Sequence, residues 1–304
     1  MNRSVLICGY GSIGRRHANI LSGLIGRKNI TILTKQKLSN FRTIKTTREI
    51  NKLDPHYMVI CNPTSDHINK IRFIEKNFKN KLVLVEKPLF SRPSNINLKK
   101  NKYYVGYNLR FNPIINFLKK KIKSKNIWNV TIFCGSYLPN WRNNIDYSKS
   151  ASAKKELGGG VLLDLSHELD YAQWLFGKIK VQHSKSKKLS NLNIGTDDFL
   201  SLTGKTTKVP SIQIILNYFT RNPTRQILID GKNISMQADL IKKNVIYYKG
   251  NKKKIYNFEN LNRDYEYKKQ HLAILKKNTD KLCTYEEGKR IVSLISQIRF
   301  KSKS

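Results

Sequence analysis

The chain has 304 residues, 39% of them hydrophobic and 10% aromatic, which is enough for about two ordinary domains and excludes both a disordered chain and a small stapled module. Its 58 Lys and Arg against 20 Asp and Glu give a formal net charge of +38, a field that would attract nucleic acid, anionic lipid or acidic metabolites alike. The basic residues are spread along the whole chain, in short runs such as 119–121 and 252–254, so they describe a compositional bias rather than a built patch, and no specific nucleic-acid partner is expected.

Residues 4–8 (SVLIC) form a short apolar β-rich run, followed at once by Gly9-Tyr10-Gly11-Ser12-Ile13-Gly14 and a helical pattern. Strand, glycine turn and helix in that order make a dinucleotide fingerprint. Gly9 permits the tight turn, Gly11 lets the backbone approach a pyrophosphate, and Gly14 lets helix and strand pack closely. The phosphates would rest on the N–H groups of the new helix, which brings Ser12 and Ile13 into the expected cofactor contacts.

The second apolar run, 30–33, ends at Thr34 and Lys35, where an NAD enzyme usually places Asp or Glu against the ribose 2′-hydroxyl. No acidic residue occurs before Glu49. A hydroxyl and an ammonium, helped by Arg15 or Arg16, suit a 2′-phosphate that a carboxylate would repel. NADP(H) is therefore the expected preference, with NAD as the alternative.

Further strands are expected at 57–61 (YMVIC), 82–85 (LVLV) and 103–106 (YYVG), with a helix near 66–77. This alternation predicts a doubly wound parallel sheet covered on both faces. Ligands of such sheets bind beyond the carboxyl ends of the strands, and those ends carry Asn62-Pro63-Thr64, Glu86-Lys87-Pro88 and Asn108 beside the glycines. His67 either lines that edge or simply sits on the following helix. His17, His56, His183 and His271 have no constellation legible in the sequence.

In the second half, strand-like runs at 127–133, 199–203, 212–218, 226–229 and 245–248, separated by Gly, Asn, Asp and Lys turns, predict an antiparallel meander. A last helix starts near Arg263, broken around 278–284. Between them, Gly158 to Gly160 precede a helical segment in which Leu162, Leu165, Leu169, Ala172 and Phe176 share one face. Asp164, His167, Tyr171 and Trp174 fall on another stripe, so that an acid and an imidazole lie about one turn apart on a face expected to be free of core packing. An imidazole with an ordinary pKa near 6.5 suits proton transfer in a carbonyl–alcohol interconversion.

Taken together these motifs resemble the Gfo/Idh/MocA oxidoreductases: GYGSIG, ICNPTSDH ending in His67, VEKPLF with Glu86, Lys87 and Pro88, VGYNLRFNP (106–113), SYLPNWR (136–142), GGGVLLDLSHELDYAQWLFG (158–177) and CTYEEG (283–288). The resemblance spans nearly the whole chain in consistent order. It implies a Rossmann NAD(P)-binding domain over 1–106. A substrate and oligomerisation domain over 107–304 would carry a large, mostly antiparallel sheet, with the substrate lying between the two over the nicotinamide.

It also implies hydride transfer between nicotinamide and a carbinol or carbonyl of a sugar-derived substrate, with surface-polysaccharide sugar synthesis as one setting, by a homodimer or homotetramer. His167 would be the acid/base, Asp164 its orienting partner and Lys87 the contact to substrate and nicotinamide, where an ammonium stabilises developing oxyanion charge. Asn62, Thr64, His67, Glu86, Trp141 and Arg142 would join the cofactor site, and Arg110 and Tyr171 the substrate site. Many members place three residues between the acid and the histidine; here only Leu165 and Ser166 intervene, which leaves Asp170 as an alternative partner.

Alternatives on the same scaffold are a reductase of a non-sugar substrate, a lyase or hydrolase that recycles its cofactor, and a non-catalytic cofactor-binding protein. The four cysteines, Cys8, Cys61, Cys134 and Cys283, have no metal-ligand or CxxC spacing, so no metal and a reducing cytoplasm are expected. No signal-peptide pattern or membrane span is legible.

Overall fold

The computed structural model describes residues 4–123, 125–142, 146–259 and 262–302. It begins with β1 (Val5–Cys8), α1 (Ser12–Ile25), β2 (Ile30–Leu33), β3 (Arg42–Ile44), β4 (Tyr57–Ile60), α2 (His67–Asn77), β5 (Leu82–Val85) and β6 (Lys102–Val105). There follow α3 (Pro113–Ile122), β7 (Ile127–Gly135), α4 (Val161–Asp164), α5 (Ser166–Phe176), β8 (Ile179–Lys187), β9 (Phe199–Thr206), β10 (Ser211–Asn217) and β11 (Thr224–Gly231). The chain continues through β12 (Ile234–Asp239), β13 (Asn244–Lys249), β14 (Lys252–Asn257), α6 (Tyr265–Leu275), β15 (Cys283–Thr284) and α7 (Tyr285–Lys301). Two compact units result, 1–111 with 263–292 and 112–262 with 293–304.

In the first unit the strand order is β15-β6-β5-β4-β1-β2-β3. β1 to β6 run parallel and β15 pairs antiparallel with β6. Every residue of β1, β4 and β5 is buried, as continuous apolar runs must be when helices cover both faces of a parallel sheet. β1 lies between β4 and β2, so the strand order reverses at its carboxyl end, the place where an open α/β sheet takes its ligand. β3 and β15 have three and two residues, too few to show a period in sequence.

The contiguous boundary expected after residue 106 differs from these units, because 263–292 packs with the first. Ala273 and Ile274 of α6 join the core cluster that holds Ala18 and Leu21 of α1, and Cys283 pairs with Val105.

The second unit carries an eight-stranded sheet, ordered β14-β13-β12-β11-β7-β10-β9-β8. It is antiparallel except for the β7–β10 pair. The meander reading therefore holds for the hairpins on either side, while β7 sits in the middle and brings its carboxyl end beside that of β10. Burial alternates along β9 and β10, as one-sided packing requires, and α4 packs against both.

The helix expected to run unbroken from the three glycines divides at Leu165, whose backbone leaves the helical region at φ −95°, ψ 27°. Ser166 Oγ donates to the Leu163 carbonyl at 2.8 Å, a local bond of the kind that competes with the helical ladder. Beyond the break α5 is buried on nearly every side, and Tyr171, expected on the uncovered stripe, is fully buried. This corrects its placement on that stripe.

Candidate functional site

At the carboxyl end of β1 the three glycines differ in what surrounds them. Gly9 has φ +95°, a Cβ there would lie 3.0 Å from the Cys61 carbonyl, and a Cβ on Gly14 would fall on the Gly9 carbonyl oxygen. Gly11 faces open space. It stands as the N-cap of α1, no side chain caps that end, and the first-turn N–H groups of Ser12, Ile13 and Gly14 follow it. An uncapped helix N-terminus behind an open glycine is a ready anion cradle. Next to it, Asn62 Oδ1 at the end of β4 is buried with no hydrogen-bond partner among the described residues, which fits a donor supplied by a ligand.

Thr34 follows β2, its hydroxyl accepting from Gln36 N at 3.2 Å, and Lys35 is exposed beside it. Arg15 lies over the Tyr10 ring, 5.8 Å from its centroid, whereas Arg16 pairs with Asp264 at 3.3 Å. Of the two, Arg15 is the one beside the turn, and the acid nearest in sequence, Glu49, serves to cap residues 47–52.

His67 is buried, its Nδ1 3.2 and 3.1 Å from the Pro88 and Leu89 carbonyls and its Nε2 3.0 Å from the Asn62 carbonyl. It ties the β4 and β5 loops together, while Thr64 opens the short turn before it. Glu86 is buried; its Oε1 lies 2.9 Å from His17 Nε2 and its Oε2 accepts from Lys87 N at 3.3 Å. Lys87, half-buried, precedes a cis bond to Pro88.

His17 and His271, which have no constellation legible in sequence, are hydrogen-bonded to each other at 2.7 Å, and His271 meets the Tyr57 hydroxyl at 2.9 Å. Burial, with His17 alongside, pushes His271 well below the ordinary imidazole pKa. Burial also lowers His67 despite the carbonyls around it.

Both groups hold fewer protons folded than unfolded below the ordinary imidazole pKa, so stability falls as pH drops through that window. Each contributes about 1.4 kcal/mol per pH unit until its folded pKa is reached. Urea midpoints measured from about pH 7.5 to 5.5 are expected to fall accordingly, and less steeply in His271→Gln. Equal slopes in the two proteins would contradict this.

Arg110 is buried, both oxygens of Glu287 lying 3.0 Å from its Nη1 and the Leu282 carbonyl at 3.4 Å. Although burial opposes ionisation, Arg110 and Thr284 hold Glu287 below the usual carboxylate range. The guanidinium expected at a substrate thus binds the returning segment to the first unit.

In the second unit the carboxyl ends of the parallel pair β7 and β10 carry the polar side chains. Tyr218, just past β10, donates to Asp164 Oδ2 at 2.7 Å; burial and then Asp164 raise the phenol well above its ordinary pKa, so it stays a donor. Trp141 packs edge-on against Tyr218 with ring centroids 5.2 Å apart and donates to Ser136 Oγ at 2.8 Å, and Arg142 beside it is exposed.

His167, half-buried, stands in the first turn of α5. The adjacent Glu168 is fully buried and accepts from Arg225 Nε of β11 at 2.6 Å. Burial works against the guanidinium charge, but Glu168 outweighs it and raises Arg225. Asp170 is 1% exposed. Asp164, His167 and Trp141 thus collect at one end of the sheet. Tyr218, Glu168 and Arg225, which sequence reasoning missed, anchor them there. Among the described residues no group of three or more His, Cys, Asp or Glu could hold a metal ion.

No curated protein matches the sequence significantly. Among solved structures, the WlbA dehydrogenase from Bordetella pertussis in complex with NADH and UDP-GlcNAcA superposes with a TM-score of 0.77 at 15% identity, over 99% of this chain and 97% of that one. Levoglucosan dehydrogenase with NADH and levoglucosan gives 0.82 at 15%, over 99% and 97%. The UDP-N-acetylglucosamine 3-dehydrogenase GnnA from Acidithiobacillus ferrooxidans gives 0.77 at 14%, over 98% and 97%. Residues 115–237 match the GFO/IDH/MocA C-terminal domain. With a sheet that reverses its strand order at a glycine turn preceding that match, the chain shares the fold of these dehydrogenases, and its residues 115–237 are similar to the GFO/IDH/MocA C-terminal domain.

Proposed function

We propose that this protein is an NAD(P)-dependent oxidoreductase that moves a hydride between the nicotinamide and a carbinol or carbonyl of a sugar-derived substrate. The observation that carries the reading is the uncapped start of α1 behind the open Gly11, at the point where the strand order reverses. The matched C-terminal domain and the sugar and UDP-sugar dehydrogenases of the same fold support it; they favour it over the lyase, non-sugar and non-catalytic alternatives. A sugar nucleotide is the substrate class these relatives suggest.

When bound, the nicotinamide supplies the hydride acceptor or donor. The first unit would hold the cofactor, with its phosphates on Ser12, Ile13 and Gly14, Asn62 Oδ1 taking a donor, and Lys87 stabilising negative charge on the substrate oxygen. The second unit would supply the proton chemistry: His167 takes the substrate hydroxyl proton in oxidation and returns it in reduction, and Asp164, held by Tyr218, orients it. Trp141 and Arg142 would complete the cofactor and substrate contacts.

Thr34 and Lys35, with no acid at the end of β2, favour NADP(H) in our reading, although the neighbours named above carry NADH. Fluorescence titrations with NADPH and NADH at moderate salt are expected to show tighter NADPH binding. Lys35→Ala should weaken NADPH about tenfold and leave NADH nearly unchanged. Equal or tighter NADH binding, with no loss in Lys35→Ala, would overturn the 2′-phosphate assignment, and binding of neither to folded protein would overturn the oxidoreductase reading.

A homodimer or homotetramer is proposed on the eight-stranded sheet, where Trp128 and Ile255 are 53% and 52% exposed. A reducing, cytoplasmic setting is supported by four buried free thiols.

A further inference from the structure

Polar side chains in a protein core persist when each is bonded, and in the first unit four are bonded in series. Tyr57 Oη lies 2.9 Å from His271 Nδ1, His271 Nε2 lies 2.7 Å from His17 Nδ1, and His17 Nε2 lies 2.9 Å from Glu86 Oε1. Tyr57, His17 and His271 are fully buried and Glu86 is 7% exposed. They come from β4, α6, α1 and the end of β5, with His17 and His271 separated by 254 positions. Gly106 makes room, since a Cβ there would meet Glu86 Oε1 at 2.6 Å.

The donor and acceptor inventory fixes the direction of this series. The Glu86 carboxylate can only accept, so His17 Nε2 carries a hydrogen. If His271 carries its hydrogen on Nε2, it donates to His17 Nδ1, and the Tyr57 hydroxyl donates to His271 Nδ1. Every donor then points towards Glu86 and neither imidazole is charged. The reverse polarity would make His17 a buried cation and require a second charge to be taken out of water. Donors aligned on an anion polarise one another and strengthen the whole series.

We propose that His17 and His271 are positioning residues for the cofactor edge. The string clamps the Glu86 carboxylate, whose other oxygen receives the Lys87 backbone N–H at 3.3 Å, and so fixes the turn that presents Lys87. A histidine from the C-terminal segment thereby sets the geometry of a site built from N-terminal strands. This rests on the reading that the Lys87 edge receives the nicotinamide cofactor.

The test compares wild type, His271→Leu, His271→Gln and Tyr57→Phe by fluorescence titration with NADH, well below each protein's melting temperature. Leucine removes both donor and acceptor, whereas the glutamine amide offers one of each on a single head. His271→Leu is expected to weaken NADH binding about tenfold and His271→Gln to recover most of that loss. If His271→Leu does not fold, Tyr57→Phe, which deletes one hydroxyl at the far end of the string, is expected to weaken NADH binding about threefold.

In ¹⁵N-imidazole NMR of the wild type, both histidines should be protonated at Nε2 alone at neutral pH; a doubly protonated His17 would overturn the polarity. NADH binding in wild type that is unchanged in His271→Leu, or in Tyr57→Phe where the leucine variant does not fold, would overturn the positioning role alone. No NADH or NADPH binding in folded wild type would overturn the oxidoreductase reading and this role with it.

Discussion

Arg225→Met is expected to lower the unfolding free energy by about 3 kcal/mol, the lower end of the range for breaking a buried ion pair. Glu168 is 0% exposed and takes its bond from Arg225 Nε at 2.6 Å, while the arginine side chain as a whole keeps 22% exposure. Removing the arginine leaves a carboxylate in the core without its cation, and that uncompensated burial carries the cost. Replacing both partners removes the unpaired charge, so Arg225→Met with Glu168→Leu should recover most of the loss. Urea denaturation of the two single variants and the double variant measures this as a cycle. A single-variant loss below about 1 kcal/mol would show that water reaches Glu168 well enough to make the pair dispensable.

His167→Ala should reduce turnover of a sugar or sugar-nucleotide substrate by about 10² to 10⁴-fold, the span that positioned acid/base groups contribute. NADPH or NADH affinity should stay within about twofold, because His167 belongs to the second unit while the glycine turn belongs to the first. Tyr218→Phe should produce a smaller loss of the same kind: Asp164 would lose the 2.7 Å bond that aims it. Near-wild-type turnover in His167→Ala, with cofactor binding intact, would remove the proposed acid/base.

Sequence pattern located the elements whose signal is local. β2 and β5 occupy the residues that their apolar runs mark, and α6 and α7 flank the expected break. Gly9, Gly11 and Gly14 have the turn, open face and close packing that their spacing demands. Tyr171 was misplaced because α5 is buried on nearly every side, so the stripe opposite Leu169 and Ala172 is covered as well.

The partners of the site residues were not legible. Tyr218 lies 54 positions from Asp164 and Arg225 lies 57 from Glu168. No local period connects a strand end to a helix across such a gap. His17 looked isolated for the same reason: its partners are 69 and 254 positions away. A histidine followed by Ala18 on an otherwise apolar face was the one available hint of a bonded core imidazole.

The return of residues 263–292 to the first unit has a consequence for biosynthesis. During translation the six parallel strands leave the ribosome long before β15, so the free edge of β6 stays unpaired while the entire second unit is made. An open strand edge of that kind recruits other chains. Over the same interval His17 and Arg110 lack His271 and Glu287. The N-terminal unit is thus the first to begin folding and among the last to be completed, and a nascent chain stalled before residue 263 would present an aggregation-prone edge that the finished protein conceals.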